Sequence, residues 1–202
     1  MKKNISKEQI IETALELMRN KNDLRGINLR EIARTLGCAH TNLYNYFPSY
    51  NDLLWETHAA IQEIFMDMLI KKLETATTAE LRLSYFFEAF VDMHMDNKGW
   101  FRLAWHENIE GDRPKRDIEA TDSTNKMLNA HIAGIWKEFS GEYPDADMLK
   151  RVLHNTHCYI VGEISNHILG RRLIENEVEL RAYTTHEALR MFKLCLSEEG
   201  CH

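Results

Sequence analysis

Between Ala39 and Tyr46 the chain carries His40, Thr41, Asn42, Asn45 and Tyr46, a run of side chains that can pair with base edges or phosphates. Carboxamides and hydroxyls of this size match the donor and acceptor pattern of a major groove. Leu43 and Phe47 sit among them at a spacing that turns both the other way, toward a core. A segment so short and polar has no helical stability of its own, so neighbouring elements must hold it.

Those elements are legible. Asn28 opens a helix as an N-cap, and Glu31 three residues later has the spacing of a capping box. Leu29, Ile32, Ala33 and Leu36 give that helix one apolar face. Gly37 stands where the chain leaves it, a place that favours a left-handed residue. Upstream, Ser6 and Gln9 form a second capping-box pattern ahead of Ile10, Ala14, Leu17 and Met18. Two helices, a tight turn and a short polar helix make a helix-turn-helix.

The stretch resembles the DNA-binding signature of TetR-family transcriptional regulators. The resemblance is carried by Leu43-Tyr44-Asn45-Tyr46-Phe47, then Pro48-Ser49 and the helix start Asn51-Asp52-Leu53-Leu54, with Ile10, Ala14, Leu17 and Met18 fitting the first helix. It covers residues 8–56. The family usually carries Lys where this chain has Tyr50, and often Lys or Arg where it has His40. The resemblance implies that Thr41, Asn42, His40 and Asn45 meet base edges, with Ala39 at the start of the reading helix. Tyr44, Tyr46 and Tyr50 are expected at phosphates, Asn28 and Arg30 beside them, and Lys3, with Lys2 and Lys7, in a basic arm.

Charge agrees with this division. The 202 residues carry a formal net charge of −6. Residues 1–55 hold eight Lys/Arg against six Asp/Glu, or +2, which leaves −8 for residues 56–202. The excess of positive charge falls on the part expected to meet DNA. The basic N-terminal stretch leads straight into an amphipathic helix, with no apolar signal region. No apolar run approaches the ~20 residues of a membrane span. Cys38, Cys158, Cys195 and Cys201 show no paired spacing and suit a reducing cytoplasm.

The remainder reads as helix throughout. The spacing predicts a long helix from Ser49 to about residue 74, then helices over 79–96, 100–109, 119–139 and 145–170, and a last one carrying Ile174, Val178, Ala182, Thr185, Leu189, Phe192 and Leu196. The expected fold is all-α: a three-helix helix-turn-helix domain over residues 1–48 and a helical effector-binding and dimerisation domain over 49–202. The last stripe keeps a seam period near 3.5 residues. With the stripe Leu149, Val152, Leu153, Thr156, Ile160 and Ile164 on the preceding helix, and Gly162, which admits a close neighbour, it marks Val161, Gly162, Ile168, Val178, Leu189 and Phe192 as a homodimer interface; intrachain core is the alternative for both stripes.

The family resemblance also implies a small-molecule cavity in the C-terminal helices. Its candidate lining is Phe86, Phe90, Met93, His94, Trp105, Met127, His131 and Trp136, each equally explicable as core. The aromatic and Met content suits a flat or greasy effector. His154, His157 and Cys158 share a helix face and have the spacing for a soft divalent metal or a haem iron, although no further ligand is evident nearby. Polar packing at the dimer seam is the competing account, and no metal or cofactor is assigned. Enzyme motifs are missing: the chain lacks the pair of Glu-x-x-His motifs of a di-iron bundle, HExxH, a phosphate-binding Gly loop and GxSxG. The expected protein is therefore a cytoplasmic, homodimeric regulator, a repressor by family habit, that binds double-stranded operator DNA and releases it on taking up a small molecule. The alternatives are a metal- or haem-responsive regulator and an all-helical protein-interaction module.

Overall fold

The computed structural model describes residues 5–19, 21, 24 and 26–199. Lys2 and Lys3, placed by the sequence in a basic arm, lie outside the described residues. The elements are α1 (Lys7–Met18), α2 (Leu29–Leu36), a 3₁₀ segment (His40–Asn45), α3 (Tyr50–Glu74), α4 (Ala79–Asp96), α5 (Lys98–Trp105), α6 (Lys115–Ser140), α7 (Ala146–Ile168) and α8 (Glu177–Glu199). No strand occurs among the described residues. None of their helices is long and apolar enough to cross a membrane.

The helix starts follow local hydrogen bonding. At α1 both halves of the capping box form, Gln9 N–H donating to Ser6 Oγ at 3.2 Å and Ser6 N–H to Gln9 Oε1 at 3.1 Å. At α2 the Asn28 side chain accepts from the backbone of Arg30 and Glu31, at 3.0 and 3.2 Å. The Glu31 carboxylate lies 3.8 Å from Arg34, so the ion pair along the helix occupies the side chain expected to complete that box. Ser49 and Asp52 exchange hydrogen bonds at the start of α3.

Three boundaries differ most from the sequence reading. α6 starts four residues earlier than expected, at Lys115, because Pro114 supplies the carbonyl that Asp117 N–H reaches at 3.0 Å. The aromatic helix α5 ends at Trp105 rather than 109. α8 starts at Glu177 because Asn176 Oδ1 caps Val178 and Glu179, leaving Ile174 outside the helix. Periodicity sees apolar spacing; caps decide where a helix begins.

The chain divides into two compact units, Met1–Phe65 with Asp96–Ser123, and Met66–Met95 with Thr124–His202. The division falls within α3 and α6, so each of these helices contributes to both units. In the first unit Ile10, Ala14, Met18, Ile32, Leu43 and Phe47 are buried together with Leu53 and Phe101. Gly99 belongs to this unit by necessity: a Cβ there would lie 1.7 Å from the Met18 carbonyl oxygen. Its N–H donates to the Arg19 carbonyl at 3.0 Å, and Trp100 Nε1 donates to the Leu15 carbonyl at 2.7 Å. α5 is thereby held to the C-terminal end of α1.

In the second unit α7 and α8 form the most extensive helix pair. Phe192, assigned by its stripe to the dimer seam, is fully buried inside the chain. Its ring meets Trp136 at 5.3 Å in an edge-to-face contact and Phe139 at 6.1 Å. The seam reading of Phe192 is therefore corrected: a spacing near 3.5 fits intrachain helix packing as well as a seam between subunits. Trp136, 2 % exposed, is likewise core.

Candidate nucleic-acid interface and ligand cavity

The turn after α2 is made by Gly37, whose φ of 71° lies in the left-handed region. Cys38 N–H then donates back to the Ala33 carbonyl at 2.9 Å. The segment that follows, read from the sequence as a short helix, is a 3₁₀ helix. It has no side-chain cap, and its six residues contribute only Leu43 to the core. Leu43 and Phe47 are buried, as their spacing predicted. His40, Thr41, Tyr44 and Asn45 are exposed, and Asn42 is half-buried. His40 and Tyr44 stand edge to face, 6.3 Å between ring centroids. Ala39 and Arg30 are also exposed. Asn28 is exposed too, although its side-chain oxygen is committed to capping α2.

Two tyrosines are placed otherwise than at phosphates. The Tyr46 hydroxyl donates to the Ile5 carbonyl, tying the reading segment to the residue before α1. Tyr50 is half-buried with its hydroxyl shut in and without a hydrogen-bond partner among the described residues. Burial, with Glu107 and Glu31 nearby, pushes that phenol up to about 12. A hydroxyl held there does not reach a phosphate. The resemblance placed Tyr50 at DNA by position, but its side chain turns inward. Among the described cations, Arg34 is exposed beside Glu31, whereas Lys7 is bound to Glu56 at 2.7 Å.

Behind this surface lies a polar network the sequence did not reveal. Asp117, 1 % exposed, accepts from His58 Nδ1 at 2.6 Å and from Arg113. Burial alone would raise the Asp117 carboxyl; the hydrogen bonds from His58 and Arg113 outweigh it and hold the group below its usual range. Arg116 pairs with Glu56 and Glu63, and Arg113 lies over the Trp55 ring at 5.7 Å. These links join α1, α3 and the start of α6. Apart from Arg113–Asp117, which is i,i+4, they pair residues 49 to 60 apart in sequence, which leaves no local signal.

The second unit holds a half-open cavity of about 530 Å³. Phe86, Phe87 and Phe90 from α4, Asn125, Leu128 and Asn129 from α6, and Lys150, Leu153, His154, Thr156, His157 and Ile160 from α7 line it. Of the residues expected to line a cavity, Phe86 and Phe90 do so. Met93 is buried and His94 lies on the same helix, but neither is part of the lining. Met127 and His131, half-buried on α6, and core Trp136 are also outside it. Trp105 is 44 % exposed and belongs to the other unit. α7 supplies half of the lining. Its His154 and His157 were read from sequence, with Cys158, as a metal site or as seam packing. A mouth where polar residues follow one another on one helix face was the signal missed.

His157 and the neighbouring His94 favour the neutral form. Burial lowers His157, whose ring stands edge to face with Phe90 at 5.9 Å. Burial, with His157 nearby, lowers His94 to about 3. Cys158 Sγ lies 3.8 Å from His154 Nε2, an i,i+4 contact. Among the described residues no group of three or more His, Cys, Asp or Glu side chains is arranged to hold a metal ion. Of the expected seam residues other than Phe192, Gly162 and Val178 are exposed, and Val161, Ile168 and Leu189 are partly so.

No family model and no curated protein matches the chain. Solved structures do match it. A transcriptional regulator from Cytophaga hutchinsonii superposes with a TM-score of 0.68 at 18% identity, covering 95% of this chain and 96% of its own. The transcriptional regulator FadR from Bacillus subtilis, in complex with stearoyl-CoA, gives 0.66 at 16% identity over 93% and 97%. A bacterial regulatory protein of the tetR family from Rhodococcus RHA1 gives 0.65 at 17% over 93% and 98%.

Proposed function

We propose that this chain, whose fold is that of the TetR-family transcriptional regulators, is a homodimeric DNA-binding repressor released from its operator by a small molecule. The observation that carries the reading is the left-handed turn at Gly37 followed by a segment that buries Leu43 while exposing His40, Thr41, Tyr44 and Asn45. Thr41 and Asn42 read base edges, with His40 and Asn45 beside them. Tyr44, Arg30 and Arg34 contact the backbone. The exposed apolar side chains Val178 (78 %) and Tyr183 (48 %) on α8, with Val161 and Gly162 on α7, form the dimer face. Two copies then place two reading segments about one helical turn of DNA apart.

The cavity is the effector site. Its volume falls in the roughly 300–1,000 Å³ range of small-molecule pockets, and a protein of the same fold holds stearoyl-CoA. α3 runs unbroken from Tyr50 to Glu74 and transmits occupancy to the DNA-binding head, since a ligand shifts DNA affinity only by preferring one state of the dimer. It acts by binding, in the cytoplasm. The test is gel-shift titration of the protein against fragments of its own upstream region at two salt concentrations. Salt-sensitive, sequence-selective binding supports the reading; equal affinity for every fragment, or none, sinks it.

A further inference from the structure

We propose that the cavity takes an amphipathic carboxylate, its head paired with Lys150 and its apolar body lying along α7 toward Phe90 and Ile160. The proposal rests on the reading of this cavity as the effector site and names the chemistry of that effector.

The lining is graded along one helix. Lys150, His154, His157 and Ile160 follow at steps of four, three and three on α7, so they share a face and span roughly 15 Å along it at about 1.5 Å per residue. The charged group stands at one end and Ile160 at the other. His157 marks the level of the aromatic wall, because its ring meets Phe90, which in turn meets Phe86 at 5.5 Å. Charge therefore lies some 10 Å from the level of the phenyl rings, seven residues along the helix.

The sign of the charge is equally one-sided. Among the described residues no Asp or Glu lines the cavity, although the chain carries 31 acids against 25 Lys and Arg. Lys150 is exposed and makes no ion pair among the described residues, even with Asp147 three residues before it. His157 sits below its usual range through burial, so at neutral pH it adds no second cation. Asn125 and Asn129 on the facing helix add uncharged polar groups at the mouth. A cationic ligand would find no counter-charge here, and an uncharged one would leave the lysine idle. A single negative head on an apolar body satisfies both ends.

Calorimetry on the full chain tests this with matched probes: dodecanoate against dodecanol, and 2-naphthoate against 2-naphthol, below micellar concentrations. The expected result is roughly tenfold tighter binding of the carboxylate in at least one pair. That preference should vanish in Lys150→Gln and persist in Lys150→Arg. Whichever pair binds identifies a flexible or a flat body. Equal affinity of acid and alcohol in both pairs, an unchanged preference in Lys150→Gln, or no binding of any probe would overturn the proposal. DNA binding by the ligand-free protein is measured alongside. If it survives while the probes fail, only this inference is lost; if the wild type fails to bind DNA while a carboxylate binds, the regulator reading is lost and the site stands.

Discussion

His58 Nδ1 lies 2.6 Å from Oδ1 of Asp117, a carboxylate that is 1 % exposed. An ionised carboxylate only accepts, so Nδ1 must carry the proton in this pair. Because the Asp117 carboxyl is held below its unfolded value near 3.9, its contribution to stability is fully present above about pH 4 and is lost as pH falls through the lower folded value. Asp117→Asn should cost roughly 3 kcal/mol near neutrality, since it leaves Arg113 without its counter-charge and weakens the hydrogen bond from His58. It should also flatten the acid limb of stability. Urea unfolding between pH 3 and 7 measures both.

Tyr50→Phe should leave DNA affinity unchanged and raise stability by about 1 kcal/mol, because it removes a buried hydroxyl that has no partner. Tyr46→Phe should act oppositely, losing about 1 kcal/mol with the hydrogen bond to Ile5. Paired thermal melts and gel shifts separate these outcomes. A tenfold fall in DNA affinity for Tyr50→Phe would restore its hydroxyl to the interface.

Thr41→Ala and Asn42→Ala should each weaken specific DNA binding by about 1–3 kcal/mol and relax sequence preference. Arg30→Ala should weaken all sequences alike and lower the salt slope by about one. Fluorescence anisotropy across salt concentrations checks all three.

Gly99→Ala should destabilise the protein by at least about 2 kcal/mol. The added Cβ would collide with the backbone carbonyl of Met18, which cannot swing aside as a side chain can. Chemical unfolding gives the cost. A change under 0.5 kcal/mol would mean that α5 and α1 separate easily.

Val161→Glu and Phe192→Glu should diverge. Val161 is partly exposed on the proposed dimer face, so its variant should stay helical but sediment as a monomer. Phe192 is fully buried against Trp136, so its variant should lose helix content outright. Sedimentation velocity with circular dichroism distinguishes the two. A folded monomer from Phe192→Glu would return that residue to the seam.

The sequence by itself determined what depends on near neighbours. The Ser6–Gln9 cap, the Asn28 cap, the left-handed turn at Gly37 and the inward pair Leu43 and Phe47 all rest on contacts within a few residues. The all-helical class, the limits of α4 and the end of α3 follow from periodicity and were readable for the same reason. Only the tertiary structure decided which apolar stripes of α7 and α8 face another helix of the chain and which stay exposed. Phe192 and Val161 have the same apolar character and fit stripes equally well, yet one is core and the other partly exposed. Tyr50 turns inward because its neighbours close over it, which no spacing rule encodes. The cavity draws on α4, α6 and α7, so Phe86, Asn125 and Lys150 become neighbours through helix packing alone. His58 and Asp117 meet across 59 residues, and a pattern read along the chain cannot see a partner chosen across it.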